Sequence, residues 1–146
     1  MLRLIALFRL QFRARALRDR AAQYELAEMY ATGEHRDYTY PKNEVRAAAL
    51  YLMAAERECH DAMYELGFMY LLGEGIIKDA STASVWLSRA GSGGHTEAMR
   101  LLRDLYKIGN HGVPIDPAEA TRWQAFLSEH LTRHPEDRRR YEGAGA

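Results

Sequence analysis

The stretch AMYELGFMYLLGEGIIKDASTASVWLSRAGSGG, residues 62–94, decides the fold. Ala62, Leu66 and Tyr70 recur at i, i+4 and i+8, which lays them along one face of a helix. Gly73 stands where that helix should end, because glycine accepts the left-handed conformation of a C-terminal cap. Asp79 stands where a second helix should begin, with a carboxylate that can accept from the first free backbone N–H groups. Ala83, Trp86 and Ala90 then continue the second helix. The unit reads as helix, glycine-containing loop, helix.

The same pattern occurs on both sides of this stretch. Upstream it runs Ala22, Leu26, Tyr30, Gly33, then Asn43, Ala47, Leu50 and Ala54. Downstream it runs Ala98, Leu102, Tyr106, Gly109, then Asp116, Ala120, Trp123 and Leu127. Leu26 and Leu66 are 40 positions apart, and Leu66 and Leu102 are 36 apart. Periods of this size mark stacked helical repeats. Pro117 takes the favoured first helical position after Asp116, and Glu119 adds negative charge near that N-terminus.

These residues resemble the Sel1-like repeat family, a longer-looped relative of tetratricopeptide repeats. The middle copy follows the family pattern nearly throughout, including Gly67, Gly75, Ile76 and Gly94. The third copy has Arg103 at the small-residue position and one extra loop residue before Gly112-Val113. The first has Ala27 for glycine and a longer loop, Glu34–Lys42. Leu7, Leu10, Ala14 and Arg15 stand at the offsets of the second helix of a preceding repeat. The resemblance implies an all-α, right-handed α-solenoid of about three Sel1-like helix-turn-helix repeats, near 22–58, 59–94 and 95–134. An N-terminal capping helix within 1–20 would precede them, and 135–146 would form a flexible, solvent-facing tail. It further implies a non-enzymatic scaffold whose concave face, built from the first helices, binds another protein.

Composition narrows the alternatives. The chain has 146 residues, 20 Lys plus Arg and 20 Asp plus Glu, so its net charge is zero. That balance argues against a generally basic nucleic-acid binder. One cysteine, Cys59, cannot form an intramolecular disulfide, which suits a reducing, cytoplasmic setting. Secreted relatives in the family often pair two cysteines per repeat, and this chain does not. No 18-residue apolar run exists, and Leu4–Phe8 is interrupted by Arg9 too soon for a signal-peptide core. Charge is nonetheless uneven: residues 1–20 hold six arginines against Asp19 alone. This segment reads as a solenoid cap. Docking of the Arg-rich segment on an anionic membrane surface and a cleaved targeting segment are the alternatives.

The aromatic stripe of Tyr30, Tyr70, Tyr106, Trp86 and Trp123 falls on the stacking positions and is expected in the core. First-helix residues off that stripe are the candidate binding set: Tyr24, Glu28 and Met29, then Tyr64, Phe68 and Met69, then Arg100, Arg103 and Lys107. Aromatic, Met and Arg side chains are enriched at interfaces. Tyr38 and Tyr40 of the long first loop join them as expected exposed aromatics.

No catalytic constellation, metal site or cofactor motif is expected. His130 and His134 are four apart but lack the Glu of a His-Glu-x-x-His motif, and Cys59, His60 and His95 make an incomplete zinc set. Gly73-Glu-Gly75 and Gly91-Ser-Gly93-Gly94 do not continue as phosphate loops. Arg138–Arg140 is flanked by acids and reads as solvated. The expected role is a bacterial adaptor, or an immunity protein neutralising a toxic effector, with a protein partner and a monomeric or weakly self-associating state. A dedicated immunity protein predicts one tight partner. An adaptor predicts several weaker ones.

Overall fold

Three hydrogen-bonded contacts recur in each of the three repeats and set its geometry. The computed structural model describes residues 2–16, 18–35 and 38–142. Along them run α1 (Leu2–Arg15), α2 (Arg20–Thr32), α3 (Glu44–Ala55), α4 (His60–Leu72), α5 (Ala80–Ser92), α6 (Thr96–Ile108), α7 (Pro117–Arg133) and α8 (Pro135–Glu142). A two-residue-per-strand hairpin, β1 (Glu34–His35) with β2 (Tyr38–Thr39), interrupts the first loop in antiparallel register, Glu34 opposite Thr39.

The first contact ends the leading helix of each repeat. Gly33, Gly73 and Gly109 adopt positive φ, and their N–H groups donate to the carbonyls of Met29, Met69 and Leu105 at 2.7–3.0 Å. The second starts the trailing helix. Asn43, Asp79 and Asp116 accept first-turn N–H groups on their side-chain oxygens, the Asn43 bond from Arg46 N–H being 2.9 Å. The third ties the two together. The N–H of the same cap residue donates to the carbonyl of the repeat tyrosine: Asn43 to Tyr30, Asp79 to Tyr70, Asp116 to Tyr106, at 2.8–3.0 Å. Loops of different length therefore return to one geometry.

Packing follows the pattern of small residues. Ala22, Ala47, Ala54, Ala62, Ala83, Ala90 and Ala98 are fully buried, as are Leu66 and Leu102. Each buried leucine stabilises the fold by roughly 1.5–3 kcal/mol. Gly67 brings α4 onto α5: a Cβ there would lie 2.7 Å from Leu87 Cγ and 3.2 Å from the Ala83 carbonyl oxygen. Gly75 seats the second loop on the first turn of α3, where its Cβ would meet the Glu44 carbonyl carbon at 2.3 Å.

Helix α1 covers the open side of α2 through Leu10 and Ala14, which pack with Ala22, Leu26 and Met29. Gln23 is fully buried where the later repeats carry Met63 and Met99; its Nε2 donates to the Ala14 carbonyl at 3.0 Å and so anchors the end of α1.

Two expectations are corrected. Residues 135–142 form helix α8 rather than an irregular tail, though Pro135, Glu136 and Arg138 are exposed, because Pro135 suits a first helical turn and Glu136 and Asp137 complement its dipole. His130 Nε2 lies 3.1 Å from Asp137 Oδ2 and the His130 and His134 rings stack, tying α8 back to α7. Residues 143–146 lie outside the described residues, as do Arg36 and Asp37 of the first loop. Tyr40 is the other correction. The hairpin turns it inward, its N–H donates to the Gly33 carbonyl at 2.7 Å, and its ring packs against the α1–α2 cluster.

The loop geometry generates a test. Gly75→Ala combines a positive φ with a backbone collision, so it should lower unfolding free energy by at least ~2 kcal/mol in urea titration. Gly67→Ala should cost only ~1 kcal/mol, since gained helix propensity offsets part of the overpacking. Equal, negligible losses would contradict this account of the packing.

Candidate functional site

Equivalent positions on the three leading helices form one face. Tyr24, Tyr64 and Arg100 occupy one register, and Glu28, Phe68 and Asp104 lie one helical turn further on. Tyr24, Tyr64, Arg100, Glu28 and Asp104 are half-buried, and Phe68 is exposed. The face changes character along the array, being aromatic and acidic on α2 and α4 and rich in cations on α6.

The acidic part centres on Glu65. The Tyr24 and Tyr51 rings stand 5.7 Å apart, and Tyr24 donates its hydroxyl to Glu28 Oε1 at 3.1 Å. Burial, with the negative charges of Glu28 and Asp61 adding to it, pushes the Glu65 carboxyl from an ordinary 4.5 up to about 7. Burial and the same acidic surroundings raise the Tyr24, Tyr51 and Tyr64 phenols. Tyr64 stacks on the His95 ring at 4.6 Å and lies beside Phe68 at 6.3 Å. His95 caps α6, its Nδ1 accepting from Ala98 N–H at 3.2 Å, which leaves Nε2 facing Asp61 Oδ1 at 3.4 Å. Burial lowers the His95 pKa despite the opposing pull of Glu97 and Asp61, so the neutral ring that serves as cap is favoured.

On α6 the cations are partly engaged. Arg103 stands where Ala27 and Gly67 sit in the earlier repeats, and it leans outward to Asp104 (Nε to Oδ1, 2.7 Å) and Gln124 (Nη1 to Oε1, 3.2 Å). Lys107 is exposed one turn on.

The structure separates the sequence-selected residues. Tyr24, Glu28, Tyr64, Phe68 and Arg100 share the face; Arg103 and Lys107 border it. Met29 and Met69 do not belong to it. They lie three residues after Leu26 and Leu66, on the core stripe, and are 1% and 5% exposed. Tyr38 is exposed on the hairpin, while Tyr40 is folded inward. Tyr51, Asp61, Glu65 and His95 also adjoin the face, outside the set the helical spacing selects. Glu65 was discoverable, since it shares its register with Glu25 and adjoins Tyr64. Tyr51 was not, because it comes from a trailing helix. Of the aromatic stripe, Trp123 is buried, whereas Tyr30, Tyr70, Tyr106 and Trp86 are half-buried against the core, with Arg46 over Tyr30 and Arg89 over Trp86. Cys59 begins α4 without a side-chain cap bond. Among the described residues, no group of three or more His, Cys, Asp or Glu is placed to hold a metal ion.

Stacked helix pairs with a shared face of leading helices define a helical-repeat solenoid, a class that acts by binding other proteins. Within that class the chain belongs to the Sel1 repeat family, whose pattern matches residues 20–59, 60–95 and 96–123. Proteins of this family generally mediate protein–protein interaction on a typically non-catalytic scaffold. The fold resembles that of a Sel1 repeat protein from Oxalobacter formigenes, with a TM-score of 0.68, 30% identity, and coverage of 79% of this chain and 45% of that one. It also resembles a protective antigen with an SLR fold from uropathogenic Escherichia coli strains, with a TM-score of 0.73, 31% identity, and coverage of 84% and 25%. Chitin synthase regulatory factor 2 of Schizosaccharomyces pombe is 34% identical over 99 residues, covering 68% of this chain and 19% of that protein. The chain thus spans about a fifth of that relative's length.

Glu65 supplies a test of the face's electrostatics. A carboxyl raised in the fold favours folding most below its unfolded value of 4.5, and that contribution is lost as pH rises through about 7. At pH 8, Glu65→Gln should therefore be more stable than wild type by ~1–2 kcal/mol, a figure reduced for partial solvent screening. The two proteins should converge near pH 4. Urea unfolding at both pH values checks this, and no difference at pH 8 would contradict it.

Proposed function

We propose that the chain is a non-catalytic interaction scaffold that binds a partner protein through the face of α2, α4 and α6. The observation that carries this reading is the half-buried Glu65 carboxyl. It sits beside like charges and tyrosine rings, an arrangement that costs stability in the isolated chain. A partner bringing an Arg or Lys side chain over Tyr24 and Tyr64 would meet ring faces and carboxylates together. Acidic groups of the same partner would fall towards Arg100, Arg103 and Lys107, which fixes its orientation. The setting is taken as cytoplasmic, in keeping with the single cysteine.

Within this reading the chain serves either as an immunity protein for one toxic effector or as an adaptor for several components. The number and strength of partners separates the two.

The test is affinity capture from lysate of the source organism, with mass spectrometry, using three folded proteins: wild type, Glu28→Lys/Phe68→Ala, and Val85→Ala on the exposed side of α5. A partner captured by wild type and Val85→Ala, and reduced at least ~10-fold with the double variant, is the expected result. Equal capture by all three would overturn the assignment of the face. One dominant partner with toxic activity would make this an immunity protein; several weak partners would make it an adaptor.

A further inference from the structure

Helix α1 has two apolar sides, and only one is used by the fold. Leu10 and Ala14 are buried against α2, with Leu7 beside them. Leu4, Phe8 and Phe12, at i, i+4 and i+8, lie on another side with Ile5 next to them, and they are 70%, 68%, 52% and (Ile5) 42% exposed. An apolar stripe of this size on a soluble surface marks an interaction site.

Two observations say what covers it. The first is the residue type. In the repeat register Phe8 and Phe12 correspond to Ala48 and Leu52 of α3 and to Ser84 and Ser88 of α5. Those four side chains are buried or half-buried and mostly small. Large exposed phenylalanines at these places are therefore peculiar to α1. The second is charge. Residues 1–20 carry six arginines against Asp19, which Arg13 engages through Nε at 3.0 Å. Arg9 borders the stripe on the Ile5 side, and Arg15 lies at its far end. A head-to-tail stack of two copies would place this cationic helix against α7 and α8. Residues 117–142 there hold five arginines and five carboxylates and so offer no net opposite charge. An apolar stripe edged by arginines is complementary to anionic headgroups over an acyl interior.

We propose that α1 docks the protein in the plane of an anionic lipid surface, with Leu4, Ile5, Phe8 and Phe12 entering the headgroup–acyl boundary and Arg9 and Arg15 meeting the lipid charges. No helix of the described residues is long and apolar enough to cross a membrane. The stripe is distinct from the Tyr24–Glu65–Tyr64 face, so this docking does not depend on the partner-binding reading.

Co-sedimentation of the full chain with vesicles tests it, using phosphatidylcholine alone and phosphatidylcholine with phosphatidylserine. Wild type should sediment with the anionic vesicles, stay in solution with the neutral ones, and be released as salt rises from ~50 to ~300 mM. Phe8→Ser/Phe12→Ser should lose at least ~10-fold in vesicle affinity while its circular dichroism and melting temperature stay at the wild-type values. Arg9→Glu should weaken binding to anionic vesicles. Wild type left in the supernatant at low salt would overturn the proposal. So would unchanged binding by the double-serine variant. A wild-type dimer dispersed by the same variant, with no lipid binding, would instead assign the stripe to a second copy.

Discussion

Close approach of helices is the constraint on which the rest of this structure depends. Ala22, Ala47, Ala54, Ala62, Ala83, Ala90 and Ala98 are all fully buried, and Gly67 leaves no room for a methyl group against Leu87. Where side chains are this small, backbones come together, and dispersion between closely packed surfaces replaces the burial of large residues. The same economy explains why the three loops can differ. Each repeat needs only its glycine cap, its Asn or Asp cap and the bond from that cap to the tyrosine carbonyl. Between those fixed points the first loop accommodates a hairpin and the third an extra residue.

Small residues on the stacking sides leave the outward register free to vary. At one position the array carries Tyr24, Tyr64 and Arg100; at the next, Glu28, Phe68 and Asp104. An acidic, aromatic half and a cation-rich half therefore sit on one continuous surface held by largely equivalent packing. Burial couples the two levels. The packing that places Glu65 beside Tyr51 and Tyr24 also raises its pKa, so this face carries a cost within the isolated chain. His95 joins the two as well, capping α6 while stacking on Tyr64.

The first and third repeats each depart from the pattern at one packed position. In the first, Gln23 replaces the methionine of the other copies and uses its amide to hold the end of α1, which a thioether could not do. In the third, Arg103 replaces the small residue and turns outward to Asp104 and Gln124, while His130 and His134 hold the short α8. In each case a polar side chain stands at a position that is apolar or small in the other copies, and a specific polar partner receives it.

Local residue spacing specifies the helix pairs, their caps and their family, because caps and core stripes depend on residue type at fixed positions. Ala62, Leu66, Tyr70, Gly73 and Asp79 need no distant neighbour to be read. It also determined most of the face, since Tyr24, Glu28, Tyr64 and Phe68 follow from helical periodicity. Tertiary structure alone decided the rest. Met29 and Met69 differ from their surface neighbours by one position, and only the packed partner shows on which side of the boundary they fall. Tyr40 was turned inward by a hairpin whose short strands have no local pattern. Glu65 acquired its raised pKa from burial near three tyrosines and, secondarily, from Glu28 on another helix. Such properties arise from groups that are remote in the chain and adjacent in space, and no local spacing encodes them.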